Sequence, residues 1–491
     1  TSYEHYKYER LAGSREEFPS DALTDMEAGS TSGAGYTNGA GSSEYKMLSY
    51  FARVNYTLMD RYLFEVNMRA DASSRFHKDH RWGYFPSFSA GWRMSEESFM
   101  KDIEWINNLK IRASYGTLGN INNVGNYDYF QNYSSGNHYN FSDSPVIGIG
   151  ESKPANETLG WEKVALTDIG LDFDIFNGLL GVTADYYIKN TSDILLGYNV
   201  PTETGITAAP SQNIGKVKNT GFELALNHRN KIGAVNYSIG ANIATNKNKI
   251  TNLGGSDNII QTSSYIVKYI LKKGESIGSF YGFKTDGLYT QADIDAGHYY
   301  TLSGVVPNAG DIKFVPQRDI EYKQEITDED RTILGKDVPD FTYGVNLSLQ
   351  YKGFEFSMFG QGISGTKVAF DVYGVHPFYH GQDSPRKYHL KRWTEENPNP
   401  HAAYPRIYSA SSVHTTYNRN FSDYHLFDSD YFRFKTLSLG YTVPSATVKN
   451  WGLQSLKVYV TGENLFTVRA DKKMEDFDPE TAGGVIYTLG T

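Results

Sequence analysis

The sequence contains no cysteine and no long apolar run. The lack of cysteine among its 491 residues excludes disulfide bonds, thiolate metal sites and cysteine nucleophiles. No apolar stretch approaches the roughly 18 to 20 residues that a membrane-spanning helix needs, so any membrane crossing has to be made by β-strands. The formal net charge is −9, and no basic stripe is present that could bind phosphates. Both observations argue against a nucleic-acid-binding protein.

Proline is scarce, whereas aromatic residues are abundant. The chain has 16 prolines against 38 tyrosines and 27 phenylalanines, and these strand-forming aromatics are spread along its whole length. Apolar and polar residues alternate with period two, which is typical of strands with one apolar and one polar face. The clearest example places apolar side chains at every second position: Tyr62, Phe64, Val66, Met68 and Ala70. Composition and alternation together predict an all-β protein.

Tight turns join the predicted strands into hairpins. Short turns are predicted at Met59-Asp60, Asn177-Gly178 and Lys352-Gly353. They alternate with long connections, placed at roughly 119–160, 190–212 and 364–429. In membrane barrels, short turns lie at the periplasmic end and long loops at the outer end. The pattern predicts a large antiparallel transmembrane β-barrel with long extracellular loops.

The strand count sets an expectation about the domain. Roughly fourteen strands are predicted, whereas large transporter barrels close with about 22 strands around a plugged lumen. At about 11 residues each, the strands would use only about 150 residues, so most of the chain is predicted to be loop. The N-terminus shows no basic segment followed by an apolar core, the pattern of a signal peptide. We expect residues 1–491 to be a partial barrel domain, with the N-terminal plug and first strands absent.

Three runs in this order resemble the SusC/RagA-like TonB-dependent transporters. They read RADASSRF at 69–76, FPSFSAGWR at 85–93 and LKIRASYGTLGN at 109–120. The resemblance continues through LGWE at 159–162 and DRTILG at 330–335 to NLF at 464–466, so it covers nearly the whole chain. The sequence departs from the family pattern at Ala72, where Gly is usual. A second departure is PQRDIE at 316–321, which replaces an Asp-rich loop containing Gly.

The resemblance implies a fold, a location and partners. It implies a 22-stranded barrel of the bacterial outer membrane, with an N-terminal plug and an energy supply from the TonB complex. It also implies a SusD-like surface lipoprotein that covers the barrel and captures an oligosaccharide or peptide ligand. The plug and the segment that contacts TonB are expected outside this chain.

One predicted outer loop carries aromatic residues between Asn and Ser residues. These candidates for substrate binding are Tyr127, Tyr129, Phe130, Tyr133, Tyr139 and Phe141. Aromatic faces combined with amide and hydroxyl groups suit neutral polar ligands such as sugars or peptide side chains. The alternative is that the aromatics pack within the loop or against the lipoprotein.

Clusters of histidine and acidic residues do not predict a metal site or a cofactor. His376, His380 and His389 share one loop, but Pro377 and Gly381 argue against the helix that a zinc motif would need. The acidic stretch at 319–330 lacks the spacing of a calcium loop, so a solvated loop is predicted there.

Carboxylates on the polar strand faces resemble catalytic pairs only superficially. The examples Glu65, Asp71, Asp172 and Asp185 alternate along their strands as lumen-facing residues should, which predicts a hydrated wall instead of a glycosidase pair. Nucleophile elbows, phosphate loops and dinucleotide fingerprints are also missing from any suitable strand-to-helix context. The chain is therefore not predicted to be an enzyme.

The leading functional prediction is TonB-dependent active import of a bulky nutrient, an oligosaccharide or a peptide, across the outer membrane. A lidless siderophore-type transporter or a passive porin shares the barrel but should have shorter loops or a metal-chelate ligand. A surface adhesin barrel, with loops that bind a host or matrix partner, remains a further alternative.

Overall fold

The computed structural model describes residues 1–30, 36–141, 144–197, 211–262, 266–369, 377–378, 384–472, 475 and 477–480. Its strands, in chain order, are β1 (Ser2–Arg15), β2 (Tyr36–Leu58), β3 (Tyr62–Ser73), β4 (Trp82–Arg93), β5 (Ile106–Asn120), β6 (Asn132–Phe141), β7 (Ser144–Lys153), β8 (Glu162–Ile175), β9 (Leu180–Gly197), β10 (Ser211–Ile232), β11 (Val235–Thr245), β12 (Lys247–Leu253), β13 (Asn258–Thr262), β14 (Lys268–Lys272), β15 (Ser279–Gly282), β16 (Lys284–Leu288), β17 (Thr301–Leu302), β18 (Ile312–Val315), β19 (Glu325–Ile326), β20 (Thr332–Lys336), β21 (Phe341–Tyr351), β22 (Phe354–Ser364), β23 (Lys367–Ala369), β24 (Leu426–Asp428), β25 (Tyr431–Thr442) and β26 (Lys457–Arg469).

Helices are few and short. The α-helices are α1 (Gln291–Ala296), α2 (Val413–Asn418) and α3 (Ser445–Lys449). Single turns of 3₁₀ helix occur at Met26–Ala28, Met94–Glu96, Asp328–Asp330, Lys387–Lys391 and Asp423–His425. No helix in these described ranges combines the length and the apolar character needed to cross a membrane.

One antiparallel sheet of 14 strands forms the body of the protein. Its strands are hydrogen-bonded in the order β1-β2-β3-β4-β5-β8-β9-β10-β11-β21-β22-β25-β26, and β12 pairs with β10 beyond the end of β11. Strands that are neighbours in the sheet also follow one another along the chain, except where a connection contains further strands that lie outside the sheet. The predicted all-β fold with about fourteen antiparallel strands is confirmed.

The two ends of the sheet carry connections of very different length. The connections at one end, here called the outer end, are 16–35, 74–81, 121–161, 198–210, 246–340 and 365–430, and the four longest of the sheet, 16–35, 121–161, 246–340 and 365–430, are all among them. The connections at the opposite end are 59–61, 94–105, 176–179, 233–234, 352–353 and 443–456. The predicted asymmetry is therefore confirmed.

The shortest turns have the backbone that a hairpin requires. Met59 and Asp60 have φ of 54° and 56°, and Lys352 and Gly353 have φ of 46° and 90°. Two successive residues with positive φ twist in the same sense as the flanking strands, so they set the register of both hairpins. Leu58 pairs with Tyr62 as a result.

The strands are longer than the sequence analysis assumed. β2 has 23 residues and β10 has 22, and strands make up 57% of the residues that the structure describes. The prediction that most of the chain is loop was therefore wrong, because strands continue past the apolar band toward the outer end. For the same reason the loop placed at 190–212 is shorter: β9 reaches Gly197 and β10 starts at Ser211.

The two faces of the sheet differ as the alternation predicts. On β2 and β3, large apolar side chains are exposed on one face: Tyr50, Val54, Tyr56, Phe64, Val66 and Met68. Polar groups lie on the opposite face, and several of them are buried against one another, including Ser49 and Asp71. An apolar surface on the outside of a sheet this large has to be covered by something other than water.

A folded unit that the sequence analysis did not recognise lies at the outer end. It consists of the described residues of 246–340 and 365–430 and is called the outer unit below. Its main core contains Phe283, Ile312 and Phe314 from the first segment and Trp393 and Tyr417 from the second. Backbone hydrogen bonds join the two segments as well, for example from the N–H of Phe283 to the carbonyl of Phe421 at 3.0 Å. The connection at 246–340 was missed because its strands are short and lack a long alternating pattern.

Candidate functional site

A recess of about 860 Å³ lies on the polar face of the sheet, where β2, β3, β4 and β5 are neighbours. Its polar lining comes mainly from alternate residues of these strands: Glu65, Asn67, Arg69, Asp71, Ser87 and Asn120. Met47, Leu118 and Leu166 add apolar surface. The volume falls within the roughly 300–1,000 Å³ of small-molecule sites, and the mixture of groups suits a polar ligand with some apolar surface.

The guanidinium of Arg69 is held in one orientation on the wall of the recess. Its Nε donates to both carboxylate oxygens of Asp71, at 2.9 and 2.7 Å, and its Nη2 donates to the hydroxyl of Ser49 at 3.1 Å. Strand register explains this arrangement, since Ser49 on β2 lies directly opposite Asp71 on β3. Asp71 and Ser49 are only 4% and 3% exposed, whereas the Arg69 side chain is 52% exposed.

An aromatic cluster closes the outer end of the recess. It is called the roof cluster and contains Phe76, Phe85, Val124, Leu159, Trp161 and Leu195. The ring of Trp161 lies 5.4 Å from the ring of Phe76 and 5.4 Å from that of Phe85. A Cβ atom at Gly119 would come within 2.2 Å of the Phe85 ring. Gly119 is therefore required for this close approach, because any larger residue would displace Phe85.

Buried polar groups fix the loop at 121–161 onto the roof cluster. Glu162 is 1% exposed and accepts hydrogen bonds from the side chain of Asn120 at 2.7 Å and the backbone N–H of Leu195 at 3.0 Å. Arg75 donates to the backbone carbonyls of Ile121 and Val124, both at 3.2 Å. A buried carboxylate is stable only with such partners, so these contacts hold the loop in place.

The sequence runs that resemble the transporter family meet at this point. RADASSRF contributes Arg69, Asp71 and Phe76, and the second and third runs contribute Phe85 and Gly119. LGWE contributes Leu159, Trp161 and Glu162. The runs are separate in the sequence, and antiparallel pairing of β3, β4, β5 and β8 places them side by side. They build the recess and its roof.

Among the predicted loop aromatics whose side chains the structure describes, Tyr127, Tyr129, Phe130 and Tyr133, none lines the recess. Tyr129 packs against the roof cluster and lies 4.2 Å from Phe130, ring to ring. The hydroxyl of Tyr127 accepts a hydrogen bond from the backbone N–H of Glu44 at 3.1 Å. Tyr133 is 64% exposed on the hairpin β6–β7. The side chains of Tyr139 and Phe141, on the same hairpin, lie outside the described part of the chain.

The recess residues were not singled out as a site from the sequence. Glu65 and Asp71 were interpreted only as parts of a hydrated wall, because alternation shows which face a side chain occupies and not which neighbours surround it. The resemblance at 69–76 carried a usable signal, since it combines Arg69 and Asp71 on one face of one strand.

A second charged group lies further along the same polar face. Arg112 on β5 contacts Asp185 at 2.7 Å, Asp172 at 3.2 Å and Asp168 at 3.5 Å. These carboxylates come from β8 and β9 and point to the same side as the recess. Their ion pairs neutralise much of the charge on this part of the wall, as a hydrated inner surface requires.

The acidic stretch at 319–330 is more ordered than predicted. Asp330 is fully buried and accepts hydrogen bonds from the Arg318 guanidinium and from the backbone N–H groups of Gln317, Arg318 and Thr327. Burial alone would raise the pKa of Asp330, but these donors lower it to about 2. The prediction of a solvated loop was therefore wrong for Asp330, which stabilises the fold of the outer unit.

Histidine residues were also considered as metal ligands. Within the described ranges, no group of three or more His, Asp or Glu side chains is arranged to hold a metal ion. His376 and His380 lie outside those ranges. His389 is buried, and its Nδ1 accepts a hydrogen bond from the backbone N–H of Arg386 at 2.7 Å.

Comparison with known families identifies the sheet. The family described as "TonB dependent receptor-like, beta-barrel" matches residues 5–465. The chain belongs to this family. The sheet is accordingly the wall of an outer-membrane β-barrel, with its apolar face toward lipid and its polar face, including the recess, toward the lumen. The predicted fold class and localisation are confirmed.

Curated relatives are TonB-dependent receptors. TonB-dependent receptors P3 and P26 of Formosa agariphila are each 32% identical, over 87% and 86% of this chain. TonB-dependent receptor SusC of Bacteroides thetaiotaomicron is 30% identical over 89% of it. The chain covers 41% of P3, 42% of P26 and 42% of SusC, so it spans less than half the length of these relatives.

Solved structures of RagAB have the same fold. The RagAB peptide transporter aligns with a TM-score of 0.78 and 25% identity, covering 99% of this chain and 51% of that chain. The RagAB peptide importer in the "closed-closed" state aligns with a TM-score of 0.76 and 25% identity, over the same shares. The resemblance to SusC/RagA-like transporters, predicted from three sequence runs, is confirmed.

Proposed function

We propose that residues 1–491 form the barrel portion of a TonB-dependent importer, which carries a bulky polar nutrient across the outer membrane. The observation that carries this proposal is the recess on the lumen side of the wall, directly beneath the roof cluster. A ligand that passes the outer loops reaches polar groups there before it moves further along the lumen. The nutrient class is an oligosaccharide or a peptide, since both match the mixed lining of the recess.

The relatives support the choice of partners. We propose that a SusD-like surface lipoprotein covers the outer end, and that the TonB complex supplies energy through an N-terminal plug carried by the rest of the protein. SusC is a TonB-dependent receptor, and RagAB is described as a peptide importer. The outer unit offers a broad, folded surface on which a lipoprotein can rest.

Transport is also favoured over catalysis by the state of the wall carboxylates. Asp71 is bonded to Arg69, and Asp172 and Asp185 are bonded to Arg112. A general acid or base needs a carboxyl group that can exchange its proton with a substrate. Carboxylates that are bonded to guanidinium groups do not exchange protons in this way and instead balance the positive charges of the barrel wall.

Uptake by living cells tests the proposal. A strain lacking the gene would be complemented with the full-length protein and supplied with labelled oligosaccharides and peptides. We expect energised uptake of at least one class, abolished by a protonophore. Uptake that continues without a proton gradient would point to a passive pore. Binding to the cell surface without any uptake would point to an adhesin.

Isolation from native outer membranes in mild detergent tests the partner. We expect a lipoprotein to purify with the barrel in a one-to-one ratio. An unrelated barrel from the same membranes serves as the control. Reproducible isolation of the barrel alone would contradict the lidded arrangement and favour a lidless transporter.

A further inference from the structure

We propose that Arg69 forms a carboxylate-binding subsite in the recess, so that the imported nutrient carries a free carboxylate group. This inference rests on the proposed import function and narrows its substrate class. Two observations support it. Arg69 has hydrogen-bond donors that are not used within the described residues, and the inward aromatic rings of the recess have no open face.

The donors of Arg69 are only partly used. Asp71 occupies Nε, and Ser49 accepts from Nη2. Within the described residues, Nη1 makes no hydrogen bond, and the side chain as a whole is 52% exposed toward the recess. A guanidinium held along its Nε side therefore presents its two terminal nitrogens to the lumen. Two parallel N–H donors in one plane match the two oxygens of a carboxylate.

Two neighbouring guanidinium groups do not offer the same edge. Arg112 contacts three carboxylates with Nε, Nη1 and Nη2. Arg75 bonds two backbone carbonyls through Nη1 and the side chain of Asn126 through Nε, and its guanidinium lies 4.4 Å above the ring of Tyr45. Both are committed to holding the protein together. Arg69 differs from them because its partners fix it and leave its end open.

The inward aromatic rings of the recess do not favour stacking of a sugar. Tyr45 lies between Arg75 on one side and the stacked ring of Tyr6, at 5.3 Å, on the other. Phe85 and Trp161 are 6% and 7% exposed and pack on each other. Sugar binding through ring faces needs an open face. Recognition in the recess therefore depends on hydrogen bonds and charge.

The counter-charge of Asp71 does not prevent binding of an anion. Asp71 is 4% exposed, and both of its carboxylate oxygens accept from Nε of Arg69. The Arg69 side chain is 52% exposed, so it offers a ligand in the recess far more surface than the carboxylate does. Because hydrogen bonds to a charged group are stronger than neutral ones, loss of this contact should weaken binding roughly tenfold or more.

A free carboxylate has two plausible sources, the C-terminus of a peptide and an acidic sugar. Binding to the full-length protein in detergent would be measured calorimetrically with N-acetyl-pentaalanine and its C-terminal amide, and with trigalacturonate and its methyl ester. Arg69→Gln is expected to weaken binding of the acid in one pair about tenfold or more, and to leave the amide or ester of that pair unchanged. The pair that responds identifies the source.

Two further variants separate the edge geometry from the charge. Arg69→Lys keeps the charge and loses the planar pair of donors, so we expect it to recover only part of the lost affinity. Arg229→Gln removes a lumen-side guanidinium from β10, outside the recess, and should change nothing. Unchanged binding of the amide or ester by Arg69→Gln also shows that this variant is folded.

The outcomes distinguish this inference from the proposed function. Equal binding of acid and amide, and of acid and ester, by the unmodified protein would overturn the carboxylate subsite, and so would unchanged binding of both acids by Arg69→Gln. If the protein binds neither acid while energised uptake of a neutral nutrient continues, the subsite is wrong and the import function stands. Loss of energised uptake for every nutrient tested would remove the import function itself.

Discussion

The indole Nε1 of Trp161 donates a hydrogen bond of 2.9 Å to the backbone carbonyl oxygen of Arg81. The two residues are 80 positions apart, and the bond joins the start of β8 to the end of the connection between β3 and β4. Trp161 is 7% exposed, so this bond and its ring contacts lie inside the roof cluster. Trp161 therefore contributes both packing and a hydrogen bond to the closure of the recess.

Trp161→Phe should loosen the roof cluster moderately, because it keeps an aromatic ring and leaves the carbonyl of Arg81 without its donor. We expect a cost of about 1 kcal/mol for Trp161→Phe and about 3–5 kcal/mol for Trp161→Ala. Faster hydrogen exchange of residues 121–161 would report both changes. Trp451→Phe, at a side chain 59% exposed, serves as the control. If hydrogen exchange of residues 121–161 in both Trp161 variants equalled that of the unmodified protein, Trp161 would not stabilise the roof cluster.

Adjacent residues of β2 should respond differently to the same substitution. Val54 is 64% exposed on the lipid face, and Asn55 lies on the lumen face opposite Glu65. Val54→Arg places a charge in lipid at a cost of up to about 2–4 kcal/mol, whereas Asn55→Arg keeps the added charge in the hydrated lumen, beside the Arg53–Glu65 ion pair, and should cost less. Folding into lipid vesicles, followed by electrophoretic mobility without heating, measures the difference. A larger loss for Asn55→Arg would mean that the faces are assigned the wrong way round.

Acid should destabilise the outer unit through Asp330. Its pKa is lowered to about 2 in the folded state, so its contribution to stability is fully present above about pH 4, the unfolded value, and is lost as the pH falls through about 2. Asp330→Asn should remove this contribution at every pH, at a cost on the order of 1–3 kcal/mol. Hydrogen exchange of residues 316–331, corrected for intrinsic rates, measures it.

The control for this experiment is Asp319→Asn, at an exposed carboxylate of the same segment. We expect Asp319→Asn to keep both the stability and the pH dependence of the unmodified protein. A protein with Asp330→Asn that still loses stability between pH 4 and 2 would show that another carboxylate is responsible.

The loop aromatics separate into supporting and exposed residues. Tyr129 contacts the roof cluster, so Tyr129→Ala should increase proteolytic cleavage of the loop at 121–161. Tyr133 is 64% exposed, so Tyr133→Ala should leave the cleavage pattern unchanged and lower nutrient affinity if this loop binds ligand. Protease digestion and calorimetry on the same two variants give the answer. Unchanged affinity with Tyr133→Ala would leave these aromatics a purely structural role.

Period-two alternation predicted the sheet well because lipid on one side and water on the other act on every second residue. Tyr62, Phe64 and Val66 alternate with Glu65 and Asn67 in the sequence, and the structure places the two sets on opposite faces. The short hairpin turns could also be predicted from the sequence, because few pairs of residues readily adopt the positive φ angles that such turns require.

The recess and the outer unit could not be predicted in the same way. Arg69 is held in its orientation partly by Ser49 on a neighbouring strand, and this contact depends on the register between two strands and not on a local pattern. The outer unit is built from short strands whose core comes from two segments far apart in the chain. Single-sequence alternation carries no information about such long-range packing.

The shared core of the outer unit constrains how this protein can be changed. Phe283 and Ile312 pack with Trp393 and Tyr417, and the N–H of Leu288 bonds the carbonyl of Pro400 at 2.8 Å. Exchanging only one insertion for that of a relative would separate core residues that pack against each other. Recombination between family members should therefore preserve the two insertions as a pair, and a chimera built to transfer ligand preference has to transplant both together.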